Sequence, residues 1–406
     1  MPSHPPEGEP VPSDGSLPPA SRSALGVRGF GVYVHVPFCA SRCGYCDFNT
    51  YTATELGGGA STDAYADTAL AEIELAARAL GPASPPARTV FFGGGTPTLL
   101  PAADMVRLLR GIEQQFGLAA GAEVTTEANP ESVDEAYLDQ LRAGGFTRIS
   151  LGMQSARPHV LAALDRRHTP GRAEQAVAAA RRAGFEHVNL DLIYGTPGET
   201  DDDWQASLDA AIAAGVDHVS AYALIVEDGT RLSRQVATGQ LSAPDDDVLA
   251  DRYERAERTL TAAGLTWYEV SNWAADQEAR CRHNGLYWRG GDWWGVGPGA
   301  HSHVAGTRWW NVRHPVSYAD RLAHGRSPAQ GREVLSESAR QAEQVLLGVR
   351  LRDGLDLVDL SAAGRAASRR AVDDGLLDPA EHALGRAVLT LRGRLLADAV
   401  VRDLVD

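Results

Sequence analysis

Short apolar segments alternate with longer amphipathic ones from residue 29 onward, and this alternation constrains the fold more than any other feature of the chain. Each short segment has the length and composition of a β-strand, and each longer one carries apolar residues at helical spacing. Six such units in succession predict parallel βαβ connections. The predicted strands are Val32–Val36, Thr89–Phe92, Glu123–Glu127, Arg148–Met153, His187–Ile193 and His218–Leu224.

The placement of polar residues distinguishes two architectures, a doubly wound sheet and a partial barrel. Polar motifs follow five consecutive predicted strands, and in a barrel the carboxyl ends of the strands surround one mouth. We therefore predict an α/β fold, a partial (β/α)6 barrel of TIM type with a small, mainly helical C-terminal domain. The predicted divisions are a disordered tail (1–28), the barrel (29–225), an extension rich in His, Trp and Gly (226–335) and the C-terminal domain (336–406), with helices Ser338–Leu351 and Glu381–Ala397.

Composition and charge argue against several classes of protein. No apolar run reaches the roughly 18 residues of a membrane-spanning helix, so we do not expect an integral membrane protein. The formal net charge of −15 argues against a nucleic-acid partner, because binding to phosphates needs surplus Lys and Arg. Only four cysteines occur and three are clustered, which predicts reduced thiols and a cytoplasmic location. The sequence leaves a homodimer open.

Three of the cysteines form the pattern Cys39-x-x-x-Cys43-x-x-Cys46, directly after the first predicted strand. Iron–sulfur cubes usually have four cysteine ligands, so three close thiolates would leave one iron with an open position for a small chelating molecule. We therefore predict a [4Fe-4S] cluster at these cysteines. The alternative is a structural zinc site in which Cys281 supplies the fourth thiolate.

Glycine-rich and polar segments follow the next four predicted strands. Gly93-Gly-Gly-Thr-Pro-Thr98 follows the second strand, and its glycines permit close approach of the backbone to a ligand, which we expect to be the amino group of an amino acid. Glu127, Gln154 and Asp191 end the third, fourth and fifth strands, and Arg166 follows the fourth. These groups suit ribose hydroxyls and a carboxylate.

The cysteine pattern after Tyr33-Val-His-Val-Pro-Phe38, together with the Gly-Gly-Gly-Thr-Pro-Thr segment, resembles the radical S-adenosylmethionine superfamily. More narrowly, nearly the whole chain resembles the oxygen-independent coproporphyrinogen III oxidases and their relatives. The resemblance implies that S-adenosylmethionine chelates the unique iron and that the reduced cluster can cleave it to a 5′-deoxyadenosyl radical. It implies these contacts to S-adenosylmethionine: Tyr33, Gly94, Gly95, Thr96, Glu127, Gln154, Arg166 and Asp191.

One position separates two branches of this group. The oxidases carry a further cysteine two residues after the third one, whereas this chain reads Cys46-Asp47-Phe48. That form resembles the HemW branch of heme chaperones. We therefore predict a heme chaperone that binds the cluster, S-adenosylmethionine and heme, and passes heme to an acceptor protein such as a respiratory heme protein. The alternative is an oxygen-independent coproporphyrinogen III dehydrogenase that makes protoporphyrinogen IX by radical oxidative decarboxylation. The sequence leaves open whether the protein is an enzyme.

The segment Cys281-Arg-His283-Asn284-Gly-Leu-Tyr287-Trp288 is a second distinguishing feature. A histidine flanked by aromatic residues can bind heme iron while the rings pack on the porphyrin. The matching motif of HemW-type proteins implies a heme site, with His283 as the predicted ligand of the heme iron. His301 and Cys281 are alternative ligands, and the structural alternative is a buried, hydrogen-bonded His283.

Overall fold

The computed structural model describes residues 8–56, 62–166 and 168–405. Fourteen strands occur in this described part of the chain. They are β1 (Phe30–Val36), β2 (Ala87–Gly94), β3 (Leu118–Ala128), β4 (Arg148–Gln154), β5 (His187–Tyr194), β6 (His218–Ala223), β7 (Thr266–Glu269), β8 (Asn272–Ala274), β9 (Asp292–Val296), β10 (His301–Val304), β11 (Thr307–Asn311), β12 (Ala329–Val334), β13 (Leu355–Asp356) and β14 (Arg386–Ala387).

The α-helices of the described residues are α1 (Pro19–Ser23), α2 (Ala53–Leu56), α3 (Thr62–Leu80), α4 (Ala102–Phe116), α5 (Glu135–Gly144), α6 (Pro158–Ala163), α7 (Arg172–Arg182), α8 (Asp201–Ala213), α9 (Arg231–Ala237), α10 (Asp246–Ala262), α11 (Arg282–Trp288), α12 (Pro315–Ala323), α13 (Glu337–Gly348), α14 (Ala362–Asp373), α15 (Pro379–Ala383), α16 (Leu391–Leu395) and α17 (Ala397–Val405). Short 3-10 helices cover Pro97–Leu99, Pro130–Ser132 and Leu357–Asp359.

Twelve of the strands form one sheet in the order β12-β11-β10-β9-β1-β2-β3-β4-β5-β6-β8-β7. β9 and β1 to β6 run parallel, and the strands at both edges run antiparallel. The helices that connect parallel strands pack on one face of the sheet, so the predicted partial (β/α)6 barrel with a mainly helical C-terminal part is confirmed. The parallel strand β9 beside β1 was not predicted.

Alternation along β1 shows how the sequence divides the sheet into two faces. Val32, Val34 and Val36 are fully buried on the helix side, where each valine contributes roughly 1.5–3 kcal/mol of burial free energy. Tyr33 and His35 lie between them in sequence and therefore point into the barrel, because successive side chains of a strand point to opposite faces. All six strands predicted from the sequence are confirmed, and they correspond to β1 to β6.

The N-terminal segment differs from the tail predicted for residues 1–28, as far as the structure describes it (8–28). Glu9 pairs with Arg332 through two backbone hydrogen bonds of 2.8 and 3.0 Å, α1 forms, and Leu17 and Ser21 are buried. The Pro- and Ser-rich composition suggested disorder, but these few contacts hold the segment against the sheet. Composition averages over a segment and does not report such isolated contacts.

The C-terminal part has its own apolar core, formed by buried side chains between Val345 and Leu404. The predicted single helix Glu381–Ala397 is wrong, because β14 and two turns divide this stretch into α15, α16 and α17. Gly385 has a φ of +88°, which ends α15. The predicted domain boundaries at 225 and 335 stay predictions.

Candidate functional site

The carboxyl ends of the parallel strands bring the predicted polar residues to one mouth of the barrel. The Gly94 N–H at the end of β2 donates to Glu127 Oε2 on β3 at 3.1 Å. Asp191 on β5 accepts hydrogen bonds from the Ser150 hydroxyl on β4 at 3.0 Å and from the Asn189 amide at 2.7 Å. Groups predicted from three separate segments of sequence therefore surround one mouth, where a ligand could touch all of them.

Cys39, Cys43 and Cys46 lie in the loop after β1, at the same mouth. All three are half-buried and free of disulfides. The Cys39 N–H donates to the Tyr51 carbonyl at 3.0 Å, which closes the loop. Burial raises the pKa of the Cys46 thiol to about 11 and also raises the pKa of Cys39. Thiolates here need a nearby positive charge, and an iron cluster supplies one, so this donor set fits a cluster.

Arg166 connects the cysteine loop to the barrel mouth. Its Nη1 lies 3.5 Å from Cys43 Sγ, and its Nη2 donates to the Gly152 carbonyl at 3.2 Å. The remaining donor, Nε, is buried and has no partner among the described residues. A buried guanidinium N–H without a partner is costly and is usually satisfied by a ligand or water. This donor therefore fits an anionic ligand group such as a carboxylate.

Two residues at the mouth have a backbone conformation that side chains disfavour. Gln154 has a φ of +66° and Asp165 a φ of +55°. Left-handed backbone at non-glycine residues costs on the order of 1 kcal/mol and is concentrated at functional sites. A Cβ on Gly152 would lie 2.8 Å from Gln154 Nε2 and 2.9 Å from Arg166 Nη2. Close packing around a bare glycine thus holds both polar side chains at the mouth.

The glycine-rich loop after β2 packs tightly on the cysteine loop. A Cβ on Gly95 would lie 2.3 Å from the Phe38 carbonyl oxygen and 2.9 Å from Cys39 Sγ, so any larger residue would displace the cysteine loop. The amides of Gly94, Gly95 and Thr96 all donate to groups of the protein itself. The loop can therefore offer a ligand only its carbonyl oxygens, which suit the amino group expected from the sequence.

Two successive hydrogen bonds through His35 connect Tyr33 to the segment that follows the cysteine loop. The Tyr33 hydroxyl lies 3.0 Å from His35 Nδ1, and His35 Nε2 lies 2.9 Å from the Asn49 carbonyl oxygen. Burial lowers the pKa of His35 to about 4, so the ring is neutral. A carbonyl oxygen can only accept, so Nε2 carries the proton and Nδ1 accepts from Tyr33. Tyr33 therefore supports the cysteine loop from inside the barrel.

Burial raises the pKa of Glu127 from its ordinary 4.5 to about 8; the charge of Asp191 adds to this rise and the Gly94 N–H opposes it. Between pH 4.5 and pH 8 the folded protein keeps the Glu127 proton that the unfolded chain has lost. The free energy of unfolding therefore falls as pH rises through this range. We expect Glu127→Gln to remove this dependence, so that its free energy of unfolding rises relative to that of the wild type by about 3 kcal/mol between pH 5 and pH 8. Urea unfolding at both pH values measures it. The exposed Glu113→Gln is the matched control, and an equal pH dependence in Glu127→Gln and wild type would contradict the expectation.

The position of Cys281 argues against the zinc alternative. Cys281 is 4% exposed, and its thiol lies 3.7 Å from Glu123 Oε1 near the amino ends of the strands, away from the other three cysteines. Within the described ranges, no three His, Cys, Asp or Glu side chains converge as a single metal ion would need. A four-iron cube spreads its thiolate ligands more widely than one ion does. The three-cysteine loop thus fits the cube better than it fits zinc.

His283 lies on α11, at the amino-terminal end of the barrel, and is 1% exposed. Its Nδ1 hydrogen-bonds to the Thr89 hydroxyl at 2.8 Å, and its Nε2 hydrogen-bonds to the Tyr287 hydroxyl at 2.7 Å. Burial lowers its pKa to about 3. Because both nitrogens are occupied, His283 offers none to heme iron in this conformation. The geometry matches the structural alternative, and a role in binding iron would require one of these bonds to break.

Other residues of the same segment also serve to anchor α11. The Glu123 carboxylate accepts the backbone N–H groups of Arg282 and His283, each at 3.0 Å. The Cys281 N–H, directly before the helix, donates to the Tyr268 hydroxyl at 3.1 Å. Anionic side chains at a helix N-terminus stabilise it. These contacts anchor the start of α11 to the barrel.

The two alternative iron ligands differ in accessibility. Cys281 is buried beside Glu123. His301, at the start of β10, is half-buried, and its ring stacks on Trp310 with centroids 6.1 Å apart. Of the three predicted ligands, His301 is thus the most accessible to a large molecule.

Sequence reasoning missed the polar lining deeper in the barrel. Ser150, Asn189 and Ser220 form a hydrogen-bonded group around Asp191. Glu123 and Thr125 precede Glu127 at alternate positions of β3 and share its inward face. The pattern that indicates such residues is a polar side chain at every second position of a strand. In a parallel barrel this pattern places polar side chains on the interior face.

Comparison with known proteins identifies the family. The radical SAM superfamily model matches residues 33–211. The heme chaperone HemW of Mycobacterium tuberculosis is 57% identical over 376 residues, which cover 93% of this chain and 95% of that protein. HemW of Synechocystis is 34% identical, over 82% of this chain and 81% of that protein. The chain belongs to the radical SAM superfamily and, within it, to the HemW family.

Solved structures support the fold. Coproporphyrinogen III oxidase (HemN) from Escherichia coli, a radical SAM enzyme, matches with a TM-score of 0.81 and 24% identity, covering 95% of this chain and 92% of that one. At this identity the likeness establishes the fold and no more. Across the residues that the structure describes, none of the helices is both long and apolar enough to span a membrane.

Proposed function

We propose that this member of the HemW family is a heme carrier that holds a [4Fe-4S] cluster and S-adenosylmethionine and delivers heme to an acceptor protein, a respiratory heme protein being one such acceptor. The supporting observation is the convergence of Cys43, Arg166 and Gly152 at one barrel mouth. A loop with three thiols needs a reducing compartment, so we place the activity in the cytoplasm.

The residues at the mouth divide the work of holding the two cofactors. Cys39, Cys43 and Cys46 would bind three irons of the cluster, which when bound supplies an electron for cleavage of S-adenosylmethionine. Arg166 would pair with the carboxylate of S-adenosylmethionine through its unpaired Nε. The carbonyls beside Gly95 would accept from its amino group.

The remaining predicted contacts suit the sugar and the positive charge of the same cofactor. Gln154 and Asp191 would bind ribose hydroxyls, because both present polar oxygen atoms at the mouth. Glu127 would lose its proton when the cation binds, since a nearby positive charge favours the carboxylate form. Tyr33 and Thr96 complete the predicted set as supports of the cysteine loop and the glycine loop.

Phe48 favours a carrier over a coproporphyrinogen dehydrogenase. It stands where the oxidases have a further cysteine, and half of its side chain is exposed beside the cysteine loop. An apolar, half-exposed ring at this position cannot supply a thiol. Heme binding without coproporphyrinogen turnover is therefore the expected behaviour.

Anaerobic reconstitution followed by two parallel assays tests this function. We expect hemin titration to give a saturable Soret shift at about one heme per chain, with a dissociation constant in the micromolar range or below, as expected for a specific pocket. We expect no protoporphyrinogen IX from coproporphyrinogen III and S-adenosylmethionine under reducing conditions. A heat-unfolded sample of the same protein is the control for nonspecific adsorption of hemin, and its titration should show no saturation. Product formation would establish the dehydrogenase instead, and an unsaturable titration would reject the carrier.

A further inference from the structure

A cleft of about 750 Å³ separates the barrel from the C-terminal domain on the side where α11 ends. One wall comes from the barrel side, with Ala24, Val27 and Trp288; the other comes from the C-terminal domain, with Leu347 and Leu355. Val27 is 82% exposed. A volume of this size lies within the range of pockets that bind cofactor-sized molecules. The apolar side chains on both walls suit a flat, apolar ligand.

The lining of the cleft is basic although the protein is acidic. Four arginines and three carboxylates line the cleft, whereas the whole chain has a formal net charge of −15. The arginines are Arg28, Arg289, Arg340 and Arg386. Arg289 and Arg386 pair with Asp353 and Asp356 at 2.9 and 3.0 Å. The guanidinium groups of Arg28 and Arg340 instead bond to neutral acceptors, Gln344 Oε1 at 3.4 Å and the Leu335 carbonyl at 3.2 Å.

Both arginines are exposed, and no ion pair to either one occurs among the described residues. One face of α13 lines the cleft with Arg340, Gln344 and Leu347, which are spaced four and three residues apart. This face therefore presents a cation and an apolar side chain to the cleft. Arginine binds carboxylates in a planar, two-pronged geometry. The cleft therefore combines apolar walls with two cations that are available to a carboxylate ligand.

The orientation of α11 separates this cleft from the barrel interior. His283 faces Thr89 and Phe91 inside the barrel, whereas Trp288 and Arg289 at the end of the same helix line the cleft. The indole ring can pack on a large planar ligand. The histidine-containing segment would then form the wall behind the ligand without touching its iron.

We propose that heme binds in this cleft, with its porphyrin between Trp288 and the leucines of the C-terminal domain and its propionates on Arg28 and Arg340. This inference rests on the proposed carrier function and specifies where the carrier binds heme. The site lies at the opposite end of the barrel from the cysteine loop, so cargo and cofactors would occupy separate regions. An acceptor could then receive heme at the domain boundary without contact with the cluster.

Hemin titration of full-length, cluster-reconstituted variants tests the location. We expect Arg28→Gln/Arg340→Gln to weaken hemin binding by about tenfold for each guanidinium lost. Ala24→Trp, which narrows the cleft at an exposed position, should weaken it as well. The matched control is Arg110→Gln, which removes an exposed arginine of α4 and should bind hemin like the wild type. Circular dichroism melts show whether each variant is folded.

A second ligand isolates the role of the propionates. The wild type should prefer hemin over hemin dimethyl ester, which lacks the carboxylates, and the double arginine variant should lose that preference. If the double variant and Ala24→Trp both bind hemin with wild-type affinity, the cleft is not the site, even though the carrier function stands. If the wild type itself shows no saturable hemin binding, the carrier function fails first. If His283→Ala alone abolishes binding while the cleft variants retain it, the site lies on the barrel side of α11.

Discussion

Replacing Cys43 by serine should reduce the iron content of anaerobically reconstituted protein from roughly four atoms per chain to near zero. Cys43 is the middle thiol of the loop, and Arg166 Nη1 lies 3.5 Å from its sulfur. Two remaining thiolates cannot hold a cube, because serine is a poor ligand for iron and leaves a second open corner. The expected loss is measured by iron and sulfide analysis and by the visible absorption of the cluster. Binding of S-adenosylmethionine, followed by calorimetry, should fall with it.

Cys281→Ser is the matched control for this experiment. Cys281 is buried beside Glu123 at the other end of the barrel, so its replacement should leave the iron content unchanged. A Cys43→Ser protein that keeps its full iron would contradict the three-cysteine site. Loss of iron from Cys281→Ser would instead restore the four-cysteine site that the geometry argues against.

Removing the charge of Arg252 should destabilise the protein by about 3–5 kcal/mol. Arg252 Nη1 lies 2.7 Å from Glu199 Oε2, and both side chains are almost fully buried. Burial raises the pKa of Glu199 to about 7, and the Arg252 guanidinium opposes that rise. Arg252→Met would leave a buried carboxylate without its partner. Urea unfolding at pH 8, where the carboxylate is charged, measures the loss.

The consequence should reach the barrel mouth, because Glu199 holds the loop that follows β5. Its Oε2 accepts the Gly195 N–H at 2.7 Å, four residues after Asp191. We therefore expect Arg252→Met also to weaken binding of S-adenosylmethionine.

Two variants check the physical reason for the Arg252 effect. Arg255→Ala removes a neighbouring arginine of α10 whose partner Asp201 is exposed, and it should cost no more than about 1 kcal/mol. Arg252→Met/Glu199→Gln removes both buried charges and keeps an acceptor for Gly195, so it should recover much of the stability. A double variant as unstable as Arg252→Met would show that packing, and not the unpaired charge, causes the loss.

Local sequence patterns were sufficient for the barrel and for its mouth. The strands around Tyr33, Glu127 and Asp191 were predicted from apolar runs, because a parallel strand covered by helices must be apolar on its outer face. Parallel strands end at a common edge, so residues at their carboxyl ends must meet. The cysteine spacing, the glycine loop and the acidic strand ends were therefore predicted to share one mouth, and the structure brings them together there.

The same reasoning was less successful for α11 and for the chain termini. The aromatic residues around His283 suggested a ligand site, but the partners of His283, Thr89 and Glu123, lie far away in sequence. The break in Glu381–Ala397 likewise depends on β14, which pairs with the distant strand β13. No local pattern reports such contacts between distant segments.

The sequence alone determined the alternating strands and helices, the cysteine loop and the polar ring at the strand ends, because each depends on residues that are close together in the chain or repeat with the period of the backbone. Only the tertiary structure decided that His283 is buried with both nitrogens occupied, that Cys281 lies apart from the other cysteines, and that arginines from both ends of the chain line one cleft. Those outcomes depend on which segments pack against each other, and the free energy of that packing is summed over residues far apart in sequence.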